Sequence, residues 1–276
     1  MQYTILPEFT TTRTWGPVPK YPKVLTAPSK NSQEPVIIAG PCFIESEKLV
    51  EQVSDVLVKH GVTYMRGGVY RAGTYPPIDN FGFQADKLKM WHGIAKRKGL
   101  NIIVECLDVR LLDTILKYAD AVQIGARAMQ NYALLMEARN CGKPIFLKRH
   151  HGATLDEFLG AAEYLCGGNC APHLIERGGV SYHNHVRWEL SCSLIAAVKR
   201  MTGLPIIVDA SHGSGRADLV MPLTLAGIAA GADGFLVEIH PNPIESLSDA
   251  QQALHISKYE GLKSKAIAVR QAITGA

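Results

Sequence analysis

The stretch VIIAGPCFIESEKLVEQVSDVLVKHGVTYMRGG, from Val36 to Gly68, reads as one complete strand–helix–strand unit. The β-branched run VIIAG is closed by Gly40 and Pro41, which punctuate a strand. In SEKLVEQVSDVLVKHG the period becomes helical: Leu49, Val53, Val56, Leu57 and His60 share one face, Ser46 marks the start and Gly61 supplies the stop. TYMRGG, from Thr63, then opens a second strand.

The same alternation runs on through the chain. Further strand candidates are NIIVE (from Asn101), AVQIGA (from Ala121), PIFLK (from Pro144), HLIER (from His173), PIIVDA (from Pro205) and GFLVEI (from Gly234), which brings the number to eight. Helix-like stretches lie between them: QADKLKMWHGIAKRKG, TLDEFLGAAEYLCGG, LVMPLTLAGIAAG and the long SDAQQALHISKYEGLKSKAIAVRQAI, each with a polar cap at its start or Gly near its end. Eight strands each followed by a helix close most economically into an α/β fold of the (β/α)8 TIM-barrel type, spanning residues 36–276. Pro7, Pro17, Pro19, Pro22, Pro28 and Pro35 break up any long element before it, so residues 1–35 are expected to form an N-terminal arm, too short for a second regulatory domain.

A length of 276 residues suits one such barrel, and 47% hydrophobic with 20% charged residues is ordinary for a globular chain. A net charge of +4 without a dense basic stripe argues against nucleic acid as a partner. The absence of a long apolar run or of a basic start followed by an apolar block argues against a membrane span or signal peptide, and a cytoplasmic location is expected. Six scattered cysteines suggest reduced thiols; the close pair Cys166 and Cys170 in CGGNC reads as a helix end with its Gly-rich cap, with a metal half-site or a bridge as alternatives.

Barrel enzymes carry their reactive groups at the carboxyl ends of the strands. There the chain places Cys42 after the first strand, Arg66 after the second, Arg127 after the fourth, Lys148-Arg149 after the fifth, Glu176-Arg177 after the sixth, Asp209 to His212 after the seventh and Glu238 after the eighth. Cys42, His212 and Glu238 would make a mixed sulfur, nitrogen and oxygen site suited to a divalent Mn, Fe, Co or Zn, which Asp249 could complete. Singly, each has a plainer reading: Cys42 as a small buried hydrophobe, His212 as a capped loop residue, Glu238 as the partner of a lysine. Arg66, Arg127, Lys148 and Arg177 form a cationic mouth that calls for a multiply charged anion such as a phosphorylated carboxylate, unless Glu45, Glu105 and Glu176 neutralise them.

GPCFIES, RGGVYRAGTYPP, QIGARAMQN, KPIFLKR, IERGG, LPIIVDASHGSGRADLV, GADGFLVEIHPNP and LSDAQQAL, taken in order from about Val36 to Leu254, resemble the type I-beta 3-deoxy-D-arabino-heptulosonate 7-phosphate (DAHP) synthases. The resemblance implies a metal held by Cys42, His212, Glu238 and Asp249, and a phosphoenolpyruvate site with Ala126, Arg127 and Arg177 toward the phosphate and Arg66 and Lys148 toward the carboxylate. It implies catalytic roles for Lys148, His212, Cys42 and Glu176, with His212 or Glu176 as possible proton relays, and contact with the acceptor from Arg71, Thr74, Asp209 and Arg216. The reaction implied is condensation of phosphoenolpyruvate with erythrose 4-phosphate, the first step of the shikimate route to aromatic amino acids, in a homo-oligomer of two or four subunits.

One loop departs from that pattern. Where the family reads Lys-Pro-Arg-Thr-Ser, this chain has Arg71-Ala72-Gly73-Thr74-Tyr75, so a phosphate-binding arginine is replaced by Gly73. Losing a charge-assisted contact of that kind costs ~1.5–3 kcal/mol. A different aldehyde acceptor is therefore the alternative, or the same one held by Arg71 and by His150, His151, His183 or His185. The related 3-deoxy-manno-octulosonate 8-phosphate synthases share the donor, but their acceptor loop does not match RAGTYPP. A Schiff-base aldolase acting through Lys148 and a degenerate metabolite-binding barrel are the other readings.

Overall fold

The structure, a computed structural model, describes residues 35–71, 82–166, 168 and 172–275. The N-terminal arm, apart from Pro35, lies outside them, as do Gly73, Thr74 and Cys170. The barrel strands are β1 (Val36–Gly40), β2 (Tyr64–Gly67), β3 (Asn101–Cys106), β4 (Ala121–Ile124), β5 (Ile145–Lys148), β6 (Pro172–Glu176), β7 (Ile206–Asp209) and β8 (Gly234–His240). Each pairs in parallel with the next, and β1 pairs with β8 from Val36 opposite Gly234 to Gly40 opposite Glu238, which closes the cylinder. Every expected strand is present, within two residues of its expected limits.

The principal helices are α1 (Glu47–Lys59), α2 (Ala85–Arg97), α3 (Leu112–Leu116), α4 (Tyr132–Ala138), α5 (Leu155–Cys166), α6 (Cys192–Met201), α7 (Ala217–Ala229) and α8 (Tyr259–Thr274). Ser46 caps α1 by accepting from Leu49 N at 3.2 Å, and Gly61 follows at φ +64, a left-handed turn that glycine takes without strain. The last helix is shorter than expected. The segment 248–258 instead makes turns, a short strand Leu254–His255 beside β8 and a single 3-10 turn, and Asp249 within it stands at φ 52, outside the α-helical region.

Period-two alternation sorts the barrel side chains into two cores. Ile38, Ile103, Ala121, Phe146, Ile175, Ile207 and Leu236 plug the interior, while their strand neighbours, such as Ile102, Val104, Ile145 and Leu147, pack outward with Trp91, Leu88 and Phe158 of the helices. Two residues beyond each interior plug residue the chain returns to the same face at the carboxyl end. Those positions are Gly40, Glu105, Gln123, Lys148, Arg177, Asp209 and Glu238. A polar layer on top of an apolar plug therefore follows from the strand period alone.

Among the described residues no helix is long and apolar enough to cross a membrane. Cys42, Cys106, Cys141 and Cys192 are free thiols, and Cys166 ends α5.

Candidate active site

The ligand atoms of Cys42, His212, Glu238 and Asp249 all lie within 4.8 Å of one another, although they come from opposite ends of the chain. Cys42 follows β1, Glu238 lies within β8 directly beside Gly40 of β1, and His212 sits in the short helical turn Ala210–Ser214 that follows β7. Asp249 Oδ2 is 3.3 Å from Cys42 Sγ, and His212 Nε2 is 3.1 Å from Glu238 Oε1. One thiol, one imidazole and two carboxylates at this spacing fit a divalent metal of borderline softness, as the donor chemistry anticipated.

The imidazole is aimed by its other nitrogen. Asp209, buried at the end of β7, accepts from His212 Nδ1 at 2.8 Å and caps the following turn through the His212 N–H at 3.1 Å. That arrangement fixes the tautomer with the Nε2 lone pair toward the cluster. Lys148 Nζ reaches the same carboxylate at 2.8 Å and stands 3.4 Å from His212 Nδ1.

Burial works against ionisation of Asp209, yet the charges of His212 and Lys148 outweigh it and hold the carboxyl well below its usual range. Burial likewise opposes Glu238, but His212 and Arg66 bring its pKa down to about 2. His212 is lowered by burial and raised further by Asp209 and Glu238, for a net upward shift. Burial and then the Glu238 carboxylate push the Cys42 thiol well above its usual value, so without a cation it keeps its proton at neutral pH.

Beside this cluster lie the cations. Arg66 is held by Pro41 O at 2.8 Å and by Glu238 Oε1 at 3.2 Å. Arg177 is buried, its Nε has no hydrogen-bond partner among the described residues, and its guanidinium carbon lies 5.8 Å from the Trp188 ring centroid. Burial, opposed by Asp209 and reinforced by repulsion from Arg187, lowers its pKa to about 10, which still leaves it charged. Arg127 stands exposed on the 3-10 turn Ala126–Ala128 after β4, close enough with Arg177 for both to depress the His151 pKa behind burial and His150. The expected neutralising network is only partly present. Glu176 pairs with Arg149, at 2.5 and 2.9 Å, rather than with Arg177, and also accepts from Gly178 N and Ser191 N.

For the remaining expected residues, Arg71 closes the short strand Tyr70–Arg71, and Thr74 falls outside the described residues. Arg216 is exposed and pairs with Asp218 at 2.8 Å, on the wall of a cavity of about 590 Å³ that also includes Arg187 and Asp249. His151 stacks on Trp188 at 4.1 Å, and His183 lies edge-on to His185 in the exposed loop after β6. Sequence reasoning did not single out Arg187, Ser248 or Gln252, all of which touch the cluster's ligands. None of them stands at a strand end: Arg187 lies in the loop after β6, and Ser248 and Gln252 lie in the LSDAQQAL stretch, which reads as the start of the last helix and pointed only to Asp249.

An eight-stranded parallel barrel with a thiol, imidazole and carboxylate cluster beside buried arginines at its strand ends defines a class of barrel enzymes that combine a cation site with an anion cradle. Over residues 28–274 the chain matches the DAHP synthetase I family, and it belongs to that family. The phospho-2-dehydro-3-deoxyheptonate aldolase of Thermotoga maritima is 39% identical over 227 residues, covering 82% of this chain and 67% of that protein. A 2-dehydro-3-deoxyphosphooctonate aldolase of Desulfotalea psychrophila is 27% identical, over 88% of this chain and 92% of its own length. The crystal structure of the Thermotoga maritima DAHP synthase superposes with a TM-score of 0.82 at 36% identity, covering 88% of this chain and 70% of that one. A truncated form of the same enzyme gives 0.80 at 35%, covering 88% of each chain.

Proposed function

We propose that this chain condenses phosphoenolpyruvate with erythrose 4-phosphate, forming the seven-carbon 2-keto sugar acid phosphate and releasing inorganic phosphate. The observation that carries the reading is the compact donor set of Cys42, His212, Glu238 and Asp249 set against a layer of buried cations, in a chain of the DAHP synthetase I family.

Cys42, His212, Glu238 and Asp249 would hold the divalent metal, which when bound supplies Lewis-acid polarisation of the acceptor aldehyde. Mn, Fe, Co and Zn all suit this donor set. Arg177 and Arg127 take the donor's phosphate, with Ala126 at the start of the same turn, and Arg66 and Lys148 take its carboxylate. Arg177 suits this role because it is buried with an unpartnered Nε, a group whose desolvation an incoming phosphate oxygen would offset. Carbon–carbon bond formation leaves positive character on the donor's central carbon, water adds there, and the leaving phosphate is stabilised by the same guanidinium groups. Lys148, held on Asp209 beside the metal-ligating His212, carries the proton available for the new hydroxyl.

Glu176 is assigned to holding Arg149 and the loop at Gly178, since its two oxygens are occupied there, in place of the proton relay first expected of it. Asp209 serves by orienting Lys148 and His212, in place of direct acceptor contact. The acceptor enters by the cavity of about 590 Å³ whose wall includes Arg187, Arg216 and Asp249. Imine chemistry at Lys148 is disfavoured by its buried pairing with Asp209, which occupies Nζ.

Gly73 supports a second reading, in which the acceptor is a different aldehyde. A panel of phosphorylated and plain aldehydes, each with phosphoenolpyruvate and a divalent metal, tests both readings through phosphate release and product mass. Turnover confined to erythrose 4-phosphate and abolished by chelation supports the first; turnover only with another aldehyde supports the second; phosphate release that survives chelation refutes the metal assignment. A homodimer or homotetramer acting in the cytoplasm completes the proposal, and light scattering gives the subunit count.

A further inference from the structure

Both carboxylates of the cluster turn one oxygen toward the other ligand atoms and the second oxygen outward. Asp249 Oδ2 faces Cys42 Sγ at 3.3 Å, while Oδ1 accepts from Arg187 Nη1 at 3.2 Å. Glu238 Oε1 faces His212 Nε2 at 3.1 Å, while Oε2 accepts from Gln252 Nε2 at 2.6 Å. Arg187 Nη1 also donates to Gln252 Oε1 at 3.5 Å. The outward oxygens are thus joined in a chain that runs Asp249, Arg187, Gln252, Glu238.

The chain has only one sensible polarity. A guanidinium can only donate, and an amide has one accepting and one donating end. With the Gln252 oxygen turned to Arg187, its NH2 must face Glu238, and each carboxylate presents the opposite oxygen to the cluster.

The backbone holds both members in place. Arg187 N donates to Ser214 O at 2.8 Å and Trp188 N to Gly213 O at 2.8 Å, which fastens the loop after β6 to the turn that carries His212. Gly215, at φ +67, allows that approach, since a Cβ there would stand 2.8 Å from Arg187 Cβ. Gln252 is 2% exposed, and its N–H closes a turn onto Asp249 O at 3.1 Å. Asp249 itself is the sole non-glycine residue at positive φ among the described residues. A ligand on such a backbone depends on side-chain partners for its aim.

We propose that Arg187 and Gln252 are positioning residues of the metal centre, acting as one brace that presents a single oxygen from each carboxylate to the cation. The proposal rests on reading the four-residue cluster as a metal centre. Outer partners of metal ligands typically govern affinity by about 10–100-fold.

The test uses the full chain with Co(II) as probe. Affinity is read by competition with a chromophoric chelator, geometry by the visible Co(II) spectrum, and stability by thermal unfolding of the metal-free chain. Arg187→Met and Gln252→Leu are each expected to weaken Co(II) about 10–100-fold and to shift the visible bands. Arg187→Lys should recover part of the loss. The double variant should lose less than the product of the single losses, because the two residues form one chain. Arg187 is partly exposed, so Arg187→Met should leave metal-free melting nearly unchanged, and it carries the test alone if Gln252→Leu does not fold.

Wild-type affinity and spectrum in Arg187→Met would overturn the brace, and so would fully multiplicative losses in the double variant. If the wild-type chain gave no thiolate charge-transfer band that Cys42→Ser removes, the metal-centre reading itself would fall, and the brace with it.

Discussion

Replacing Asp209 by asparagine isolates what one carboxylate does for two neighbours. Asp209 is buried, accepts from Lys148 Nζ at 2.8 Å and His212 Nδ1 at 2.8 Å, and caps the turn after β7. The amide would keep one accepting oxygen, enough for the cap or for the imidazole, but its NH2 would meet the Lys148 ammonium as donor against donor. The imidazole then loses the partner that fixes its tautomer. Losing such a partner weakens metal binding by about 10–100-fold, equivalent to about 1.4–2.8 kcal/mol. The lysine is left buried with its counter-charge removed, and breaking a buried pair costs about 3–5 kcal/mol when nothing replaces it. Asp209→Asn should therefore show both weaker zinc binding in chelator competition and a lower melting temperature without metal. An affinity within about twofold of wild type in a folded variant would refute the argument.

Other perturbations have equally definite outcomes. Metal uptake should strengthen as pH rises from 6 to 8, because Cys42, held above its usual pKa, and His212, also raised, must each give up a proton to ligate, whereas Glu238 at about 2 is already ionised. The protons released on zinc addition, followed with an indicator dye, check this; uptake without proton release would contradict it. Arg177→Met should weaken phosphoenolpyruvate binding by about 10–150-fold, as expected for losing a charge-assisted contact of ~1.5–3 kcal/mol. Direct titration of the metal-loaded protein measures it, and an unchanged affinity would remove Arg177 from the cradle. Trp91, fully buried with its Nε1 donating to Met65 Sδ at 3.2 Å, sits in the outer core, away from the ligand cluster. Trp91→Ala should cost about 3–5 kcal/mol in denaturant unfolding, and a loss below about 1 kcal/mol would mean the outer core repacks freely.

The strand ends were legible because two periods coincide. An apolar plug residue such as Phe146 or Ile207 fixes which face is inside, and the strand period then places Lys148 or Asp209 on that face one step higher. Cys42, His212 and Glu238 follow apolar runs closely enough to be found in this way. Asp249 is less plainly marked: it sits beyond β8 in a stretch that reads like the start of the last helix, where its place just past the eighth strand made it a candidate and the LSD motif of the resemblance supported it. The hydrophobic pattern of α8 extends backward through Ala253 and Leu254, which are buried against the barrel without being helical, so periodicity alone overran the boundary. Arg187 and Gln252 were invisible for a related reason. Their role depends on which oxygen of a distant carboxylate faces outward, and no local pattern encodes that. Glu176 and Arg177 are adjacent in sequence but alternation parts them: Arg177 goes to the cradle, and Glu176 pairs with Arg149 on the adjoining strand's end, a pairing the strand-end reading left open.

X-ray absorption at the zinc edge of the reconstituted protein addresses the metal centre most directly. The coordination assigned to Cys42, His212, Glu238 and Asp249 predicts one sulfur neighbour at ~2.3 Å with lighter nitrogen and oxygen neighbours at ~2.0–2.2 Å, and loss of the sulfur shell in Cys42→Ser. A wild-type spectrum fitted by nitrogen and oxygen alone, or a sulfur shell that persists in Cys42→Ser, would contradict it.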